Sequence, residues 1–214
     1  MLKCLRISTT TGQDPSNMPY DKNSPLENQV KTSFEKSLDH FATNYIDSLI
    51  LHSPMSTLEE TLRVWHVFEQ LKHDDQVRYL GISNCYDVNY LKSLYEAVTV
   101  KPTFVQNRFY GNTDYDKGIR KFCEEKQIRY QSFWTLTANP NLLKHPHTIE
   151  MSHQHHKSPE QILYKFVQSL GIIPLSGTTS SAHMRDDMEL EDFQLSMDEI
   201  NHMKTLISEK KDGV

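Results

Sequence analysis

The stretch LILHSP, residues 49–54, joins a run of apolar residues to a histidine, a serine and a proline. Leu49, Ile50 and Leu51 favour a buried β-strand, and the polar residues that follow indicate its C-terminal end. The pattern therefore predicts that His52 lies at the carboxyl edge of a strand. A catalytic ring and a histidine satisfied by the backbone both fit this position, and the residues alone leave the two interpretations open.

Alternating strand and helix patterns extend on both sides of this stretch. The starts of successive predicted strands are roughly 25 to 45 residues apart, which is the length of one strand plus one crossover helix. The predicted strands are 45–52, 77–83, 103–109, 128–134 and 171–176, with a short one in MLKCLRIS, so six is the highest count. The predicted helices include 27–42, one opened by a capping box of Thr57 and Glu60, and one from Ser158 to Leu170 that follows a long polar loop.

Repeated strand and helix units predict a parallel sheet, either open and doubly wound or closed into a barrel. In both architectures the active-site residues lie at the C-terminal ends of the strands. Polar residues follow several predicted strands, namely His52, Ser83 with Asn84, Gln106 with Asn107, and Ser176. Polar groups at several strand ends favour the barrel over a sheet with one crevice.

Composition limits the functional classes. The 214 residues suit one domain over residues 1–214, and a net charge of -5 from 23 basic and 28 acidic residues favours a small-molecule ligand over nucleic acid. Three separated cysteines and the lack of any long apolar run predict a soluble, cytoplasmic protein without a membrane segment. With 7 glycines and no GxGxxG or GxxxxGK motif, a glycine-rich phosphate loop is not expected.

A histidine-rich segment offers an alternative. Histidines occur at positions 145, 147, 153, 155 and 156. They lack an HExxH pattern and cysteine partners, so a solvated loop is the preferred interpretation and a metal-dependent barrel hydrolase the lesser one.

Four strings in a fixed order carry a resemblance to a known family. YIDSLILHSP, VRYLGISN, FVQNRF and GIIPLSGTT resemble the aldo-keto reductases, and GQDPSNMPYD with SFWTLTANP is similar to a fungal branch. The resemblance implies a (β/α)8 TIM-barrel fold that binds NADP or NAD without a Rossmann domain. It also implies oxidoreductase activity, the transfer of hydride between the nicotinamide and a small aldehyde, ketone or alcohol.

The resemblance also implies roles for individual residues. His52 matches the histidine that directs the substrate carbonyl. Ser83, Asn84 and Gln106 match the side chains that hold the nicotinamide carboxamide, and Phe133 matches the aromatic residue that stacks on the nicotinamide ring. Ser176 matches the serine near the adenosine phosphate. His183 and Asp187 occupy nearby positions that in the family are usually arginine and asparagine, respectively.

Departures from the family pattern shape the functional expectation. The family carries its catalytic aspartate and tyrosine on the first barrel segments, which precede the strings matched here. We therefore expect an N-terminally truncated chain, an incomplete barrel of about six of eight strands with impaired catalysis. Arg6 fits the slot of the catalytic lysine better than Lys3 does, and Leu175 replaces a lysine common in NADPH-using members. A non-catalytic nucleotide-binding remnant is the alternative, and open barrel edges predict self-association.

Overall fold

The computed structural model describes residues 19–208 and the backbone of a strand at residues 2–5. Six strands occur in these residues: β1 Leu2–Leu5, β2 Ile46–Leu51, β3 Val77–Ser83, β4 Phe104–Arg108, β5 Arg129–Phe133 and β6 Ile173–Pro174. The α-helices are α1 Leu26–Phe41, α2 Leu58–His73, α3 Val88–Ala97, α4 Lys117–Glu125, α5 Pro140–Leu143, α6 Pro146–His155, α7 Pro159–Ser169, α8 Ser181–Met188 and α9 Met197–Leu206. A 3-10 segment lies at Glu189–Asp192, and short helical turns at Gly111–Asp116 are interrupted by a kink with non-helical backbone at residues 113–115.

The chain divides into two compact units, which are described separately. Unit 1 contains residues up to Gln106 together with Lys121–Arg129, and unit 2 contains Asn107–Arg120 and the residues from Tyr130 onward. The expectation of a single domain over residues 1–214 stays a prediction.

Unit 1 holds a parallel sheet whose strands follow one another in chain order. β1 pairs with β2, β2 with β3, and β3 with β4, all in parallel. In this register Ser83 at the end of β3 lies beside Gln106 of β4. Helices between consecutive parallel strands confirm the α/β class and bring the C-terminal strand ends to one edge.

Tight strand packing explains the glycine of VRYLGIS. A Cβ atom on Gly81 would lie 2.9 Å from the carbonyl oxygen of Phe104 on β4 and 3.1 Å from Cγ1 of Ile50 on β2. Real Cβ atoms essentially never approach another atom to 2.9 Å, so only glycine fits at this position. The close approach fixes the spacing of the three strands that end at the candidate site.

The core of unit 1 is built on α1, α2 and the sheet. Phe34, Trp65 and Phe68 are almost fully buried, as are the apolar residues of β2. The indole Nε1 of Trp65 donates to the carbonyl oxygen of Val100 at 2.9 Å, and its ring centroid lies 5.9 Å from that of Phe68. Helix α2 begins at the predicted capping box, in which Thr57 Oγ1 accepts from the backbone N–H of Glu60 at 3.1 Å.

Unit 2 contains the parallel pair of β5 and β6 and the helices α5 to α9. Helix α7 begins as predicted, with Ser158 and Gln161 forming a capping box and Pro159 at the first helical position. β6 is shorter than predicted, since it spans only Ile173–Pro174, and proline has no N–H to donate to a neighbouring strand.

The prediction of one long polar loop before Ser158 was wrong. Helices α5 and α6 occupy much of this segment, each with proline at its first position, where its missing N–H costs no intrahelical hydrogen bond. Leu142 and Met151 are buried. The histidines 145 to 156 therefore belong to α6 and its ends, and the His147 ring stacks on those of His145 and His202 at centroid distances of 5.4 and 5.2 Å.

A buried carboxylate stabilises the turn after β4. Asp116 is 4% exposed and accepts hydrogen bonds from Asn107 Nδ2 at 2.7 Å and from the Tyr130 hydroxyl at 2.9 Å. Asp114, Tyr115 and Asp116 have φ angles of 51°, 50° and 53°, a left-handed run that is unfavourable for residues with a Cβ. The hydrogen bonds to Asp116 anchor the end of this run to β4 and β5.

Candidate active site

The structure brings four predicted residues together at the C-terminal edge of the sheet in unit 1. The strand-end cluster comprises His52, Ser83, Asn84 and Gln106. The Asn84 amide Nδ2 donates to the His52 carbonyl oxygen at 2.8 Å and to Ser83 Oγ at 3.3 Å. Ser83 Oγ donates to the Gln106 carbonyl oxygen at 2.7 Å, and the Asn84 backbone N–H donates to the same oxygen at 3.1 Å. Three neighbouring strands are thus joined by one asparagine and one serine.

The backbone of Asn84 explains why asparagine suits this position. Its φ angle is 52°, in the left-handed region that asparagine tolerates better than most residues. The hydroxyl of Tyr86 donates to Asn84 Oδ1 at 3.2 Å and fixes the amide from the opposite side. Tyr86 was not among the predicted site residues, and its only signal in the sequence is a tyrosine two residues after the asparagine.

Two substitutions separate the backbone and side-chain roles of Asn84. We expect Asn84→Ala to lower the free energy of unfolding by about 1 to 3 kcal/mol, because a hydrogen-bonding side chain is lost and alanine is strained at positive φ. Asn84→Gly, which tolerates the same φ, is expected to cost less. Denaturant unfolding of both variants measures the difference. An equal loss for alanine and glycine would contradict a contribution from backbone strain.

The side chains of the strand-end cluster provide the hydrogen-bond donors and acceptors that a carboxamide needs. A carboxamide offers both donors and an acceptor, and binding it requires side chains that provide both kinds of partner. The cluster contains a hydroxyl and two side-chain amides, and Ser83 and Gln106 are 2% and 7% exposed. His52 is half-buried at the same edge.

Unit 2 contains the predicted aromatic residue, Phe133, at the end of β5. Its ring is edge-on to that of Trp134, with 6.5 Å between centroids. The guanidinium of Arg108 lies 4.0 Å from the Trp134 ring centroid and 6.0 Å from that of Phe133. A guanidinium over an aromatic face is attractive, so Arg108 helps to hold this aromatic pair. Sequence reasoning missed Arg108 and Trp134, although each is adjacent to a predicted site or strand-end residue.

The remaining predicted residues of unit 2 line one cavity of about 590 Å³. Ser176 and Gly177 follow β6, and His183 and Asp187 lie on α8. Ser176 Oγ donates to Asp187 Oδ2 at 2.6 Å. Gly177 leaves the wall open, since a Cβ there would meet no atom within 4 Å.

Tyr164, a buried residue of α7, also lines this cavity. Burial raises the pKa of its hydroxyl, a hydrogen bond with Ser176 lowers it, and the negative charges of Asp187 and Glu160 raise it further. The phenol therefore stays neutral in the physiological pH range and is suited to hydrogen bonding. A cavity lined by hydroxyls and carboxylates fits a ribose with its hydroxyl groups.

Two further expectations concern residues or sites outside these clusters. Arg6, predicted in the catalytic lysine slot, lies outside the described residues. Among residues 19–208, no group of three or more histidine, cysteine, aspartate or glutamate side chains is placed to hold a metal ion. In the same part of the chain, no helix combines the length and apolar character needed to cross a membrane.

Comparisons with known proteins show which family this chain is similar to. The family model described as "Aldo/keto reductase family" matches residues 2–147. The chain is 25% identical over 178 residues to the uncharacterized oxidoreductase YtbE of Bacillus subtilis, covering 83% of this chain and 62% of that protein. It is 27% identical over 211 residues to the NADPH-dependent alpha-keto amide reductase of Saccharomyces cerevisiae, covering 87% of this chain and 64% of that protein. The chain thus spans less than two thirds of the length of these curated relatives.

A solved structure supports the fold assignment. The crystal structure of MGS-M4, an aldo-keto reductase enzyme from a Medee basin deep-sea metagenome library, superimposes with a TM-score of 0.79 at 18% identity. The match covers 99% of this chain and 72% of that one. The predicted α/β fold of (β/α)8-barrel type is confirmed, with six strands in the described residues.

Proposed function

Because the family model matches most of its length, the chain belongs to the aldo/keto reductase family, and we propose that it is an NAD(P)-dependent oxidoreductase acting on a small carbonyl compound or alcohol. The observation that carries this proposal is the strand-end cluster, in which Asn84 is bonded to the backbone of His52 and to Ser83. The yeast relative is named as an NADPH-dependent reductase of alpha-keto amides. An alpha-keto amide is therefore a suitable first substrate to test.

His52 is proposed to direct the substrate. A ring N–H that points at the carbonyl oxygen would stabilise the negative charge that develops there during reduction. When bound, NAD(P)H supplies the hydride. The bond from Asn84 Nδ2 holds the His52 main chain in place, so the ring projects from a fixed base.

The proposed cofactor-binding residues follow the family resemblance. Ser83, Asn84 and Gln106 would hold the carboxamide, and Phe133 would offer an aromatic face to the nicotinamide ring. The cavity containing Ser176, His183 and Asp187 would hold the adenosine end. For the 214-residue chain taken alone we expect weak cofactor binding and turnover near background. By the resemblance, the family's aspartate and tyrosine belong to barrel segments that precede the matched strings, and arginine is an imperfect replacement for lysine at position 6.

Binding and turnover measured on the same protein test this function. We expect NADH or NADPH to quench the fluorescence of the two tryptophans in a saturable manner. Carbonyl-dependent loss of nicotinamide absorbance, with an alpha-keto amide or a simple aldehyde, is expected to stay near the rate without protein. Saturable binding with turnover near background is the result expected for this chain alone, and turnover well above background would support the oxidoreductase function directly. Absence of binding would refute the proposal.

Variants assign the residues if turnover is detected. His52→Ala is expected to reduce the carbonyl-dependent rate by about 100-fold, the scale of losing one positioned proton donor, while cofactor binding is retained. His153→Ala, an exposed histidine on α6, is the matched control and is expected to leave the rate unchanged. Turnover that is lost in His52→Ala but retained in Arg6→Ala would show that Arg6 does not fill the lysine slot.

A further inference from the structure

The cavity of unit 2 is lined by mostly negative side chains, although the family resemblance assigns it to the adenosine phosphate of the cofactor. Its lining contains three carboxylates, from Glu160, Asp186 and Asp187, and a single imidazole, from His183. No lysine or arginine is among the described residues that line it. A site for a phosphate group is expected to offer cations or a cluster of N–H donors.

Nearby cations are engaged elsewhere or lie outside the cavity. Lys157, next to the start of α7, is paired with Glu189 at 3.0 Å. Lys165, on α7, lies 3.8 Å from Glu191. Arg185 is on α8 between His183 and Asp187 but is exposed and does not line the cavity. Leu175, where a lysine is common in NADPH-using relatives by resemblance, is apolar and donates its N–H to Ser132 at 2.8 Å.

Hydrogen bonds hold the Asp187 carboxylate and the backbone of α8 in place. Gln161, the third residue of the α7 capping box, donates from Nε2 to the backbone oxygen of Asp186 at 2.8 Å, which ties α8 to the start of α7. Ser176 Oγ donates to Asp187 Oδ2 at 2.6 Å, so this carboxylate has a fixed orientation and one oxygen with remaining acceptor capacity. The Asp187 carboxylate therefore cannot turn away from Ser176 without breaking this hydrogen bond.

We propose that this cavity selects NADH over NADPH, with Asp187 accepting a hydrogen bond from the ribose hydroxyl that carries the phosphate in NADPH. The inference rests on the proposed function, since it assumes that the cavity binds the adenosine end of the cofactor. A carboxylate that accepts from the ribose hydroxyls is a general device of NAD recognition, whereas a 2′-phosphate is usually accommodated by arginine. A phosphate monoester carries between one and two negative charges near neutral pH and would face three carboxylates here.

Direct binding measurements test the preference. Titration of the 214-residue chain with NADH and with NADPH, followed by tryptophan fluorescence and by calorimetry, is expected to give at least about tenfold tighter binding of NADH at low ionic strength. Added salt should narrow this ratio, because it screens the repulsion of the additional phosphate. Adenosine 5′-monophosphate should compete with NADH more strongly than adenosine 2′,5′-bisphosphate does.

Three variants locate the effect. Asp187→Asn removes one charge and is expected to narrow the ratio of affinities by about threefold or more, through weaker NADH binding and stronger NADPH binding. Asp192→Asn removes the same charge from an exposed position outside the cavity and should leave the ratio unchanged. Arg185→Ala should leave NADPH binding unchanged, since this side chain does not line the cavity.

The outcomes distinguish this inference from the proposed function. NADPH binding as tightly as NADH, or more tightly, would overturn the preference while the function stands. A large loss of NADPH affinity in Arg185→Ala would overturn it too, by identifying a phosphate ligand. If neither dinucleotide binds, the proposed function fails and the preference fails with it.

Discussion

Replacement of Trp65 by alanine is expected to lower the free energy of unfolding by about 3 to 5 kcal/mol, the range for truncating a large buried aromatic side chain. Trp65 is fully buried on α2, packs against Phe68, and donates a hydrogen bond from its indole to Val100. Alanine would leave a cavity and remove the donor from the part-buried carbonyl of Val100. Most small proteins have a total stability of about 5 to 15 kcal/mol, so a loss of this size is expected to populate the unfolded state measurably.

Phenylalanine substitutions at both tryptophans provide the control. Trp65→Phe keeps most of the packing but removes the hydrogen bond, so its expected cost is about 1 to 2 kcal/mol. Trp134→Phe changes a side chain that is 57% exposed and should alter stability by about 0.5 kcal/mol or less. Urea unfolding of the three variants gives the comparison. A Trp65→Ala protein as stable as Trp134→Phe would contradict the packing of α2 described above.

Substitution of Asp116 is expected to produce the second large effect. In Asp116→Ala, Asn107 and Tyr130 both lose this acceptor, and alanine must adopt the left-handed backbone. The expected loss is about 2 to 5 kcal/mol, since each buried donor deprived of its acceptor costs about 1 to 3 kcal/mol. Asp114→Asn, in the same turn but exposed, keeps a residue that tolerates positive φ and should have little effect.

The same carboxyl group predicts a pH dependence with a defined sign. Burial raises the pKa of Asp116 above its ordinary value of 3.8, although hydrogen bonds from Asn107 and Tyr130 oppose the shift. Between the ordinary and the raised pKa, the folded protein binds more protons at this site than the unfolded chain does. Its contribution to stability is therefore present below pH 3.8 and declines as the pH rises through this window.

Comparison with Asp116→Asn isolates this contribution, because the other carboxyl groups titrate equally in both proteins. The stability of the unsubstituted protein relative to Asp116→Asn should decrease as the pH is raised from about 4 upward and become constant above the raised pKa. Denaturant unfolding of both proteins across this pH range is the measurement. A relative stability that increases with pH would mean that hydrogen bonding outweighs burial and that the pKa is lowered.

The sequence predicted the parts of the fold that depend on local apolar patterns. Leu49 to Leu51 is an apolar run that ends at a polar residue, and β2 ends there as predicted. The capping boxes at Thr57 and Ser158 depend on pairs three residues apart, which are visible in the sequence. Because parallel strands align their carboxyl ends, the meeting of His52, Ser83, Asn84 and Gln106 followed from the strand ends.

The missed features depend on interactions that no local pattern reveals. Helix α5 is a single turn of four residues and α6 contains mostly polar residues, so neither showed an apolar stripe, and the prolines and histidines of the segment indicated a loop. Their few buried residues become apolar contacts only when the helices pack in unit 2. The positive φ of Asn84 and the bond from Tyr86 are likewise set by the close approach of strand ends.

The stacked histidine rings of unit 2 should be visible in nuclear magnetic resonance spectra. The rings of His147 and His202 are almost parallel, at 5°, and join α6 to α9. Aromatic rings in such an arrangement shield one another's protons, so the carbon-bound imidazole protons should resonate upfield of those of exposed histidines. This pair would act as an intrinsic nuclear magnetic resonance reporter of whether α9 is docked, without any attached label.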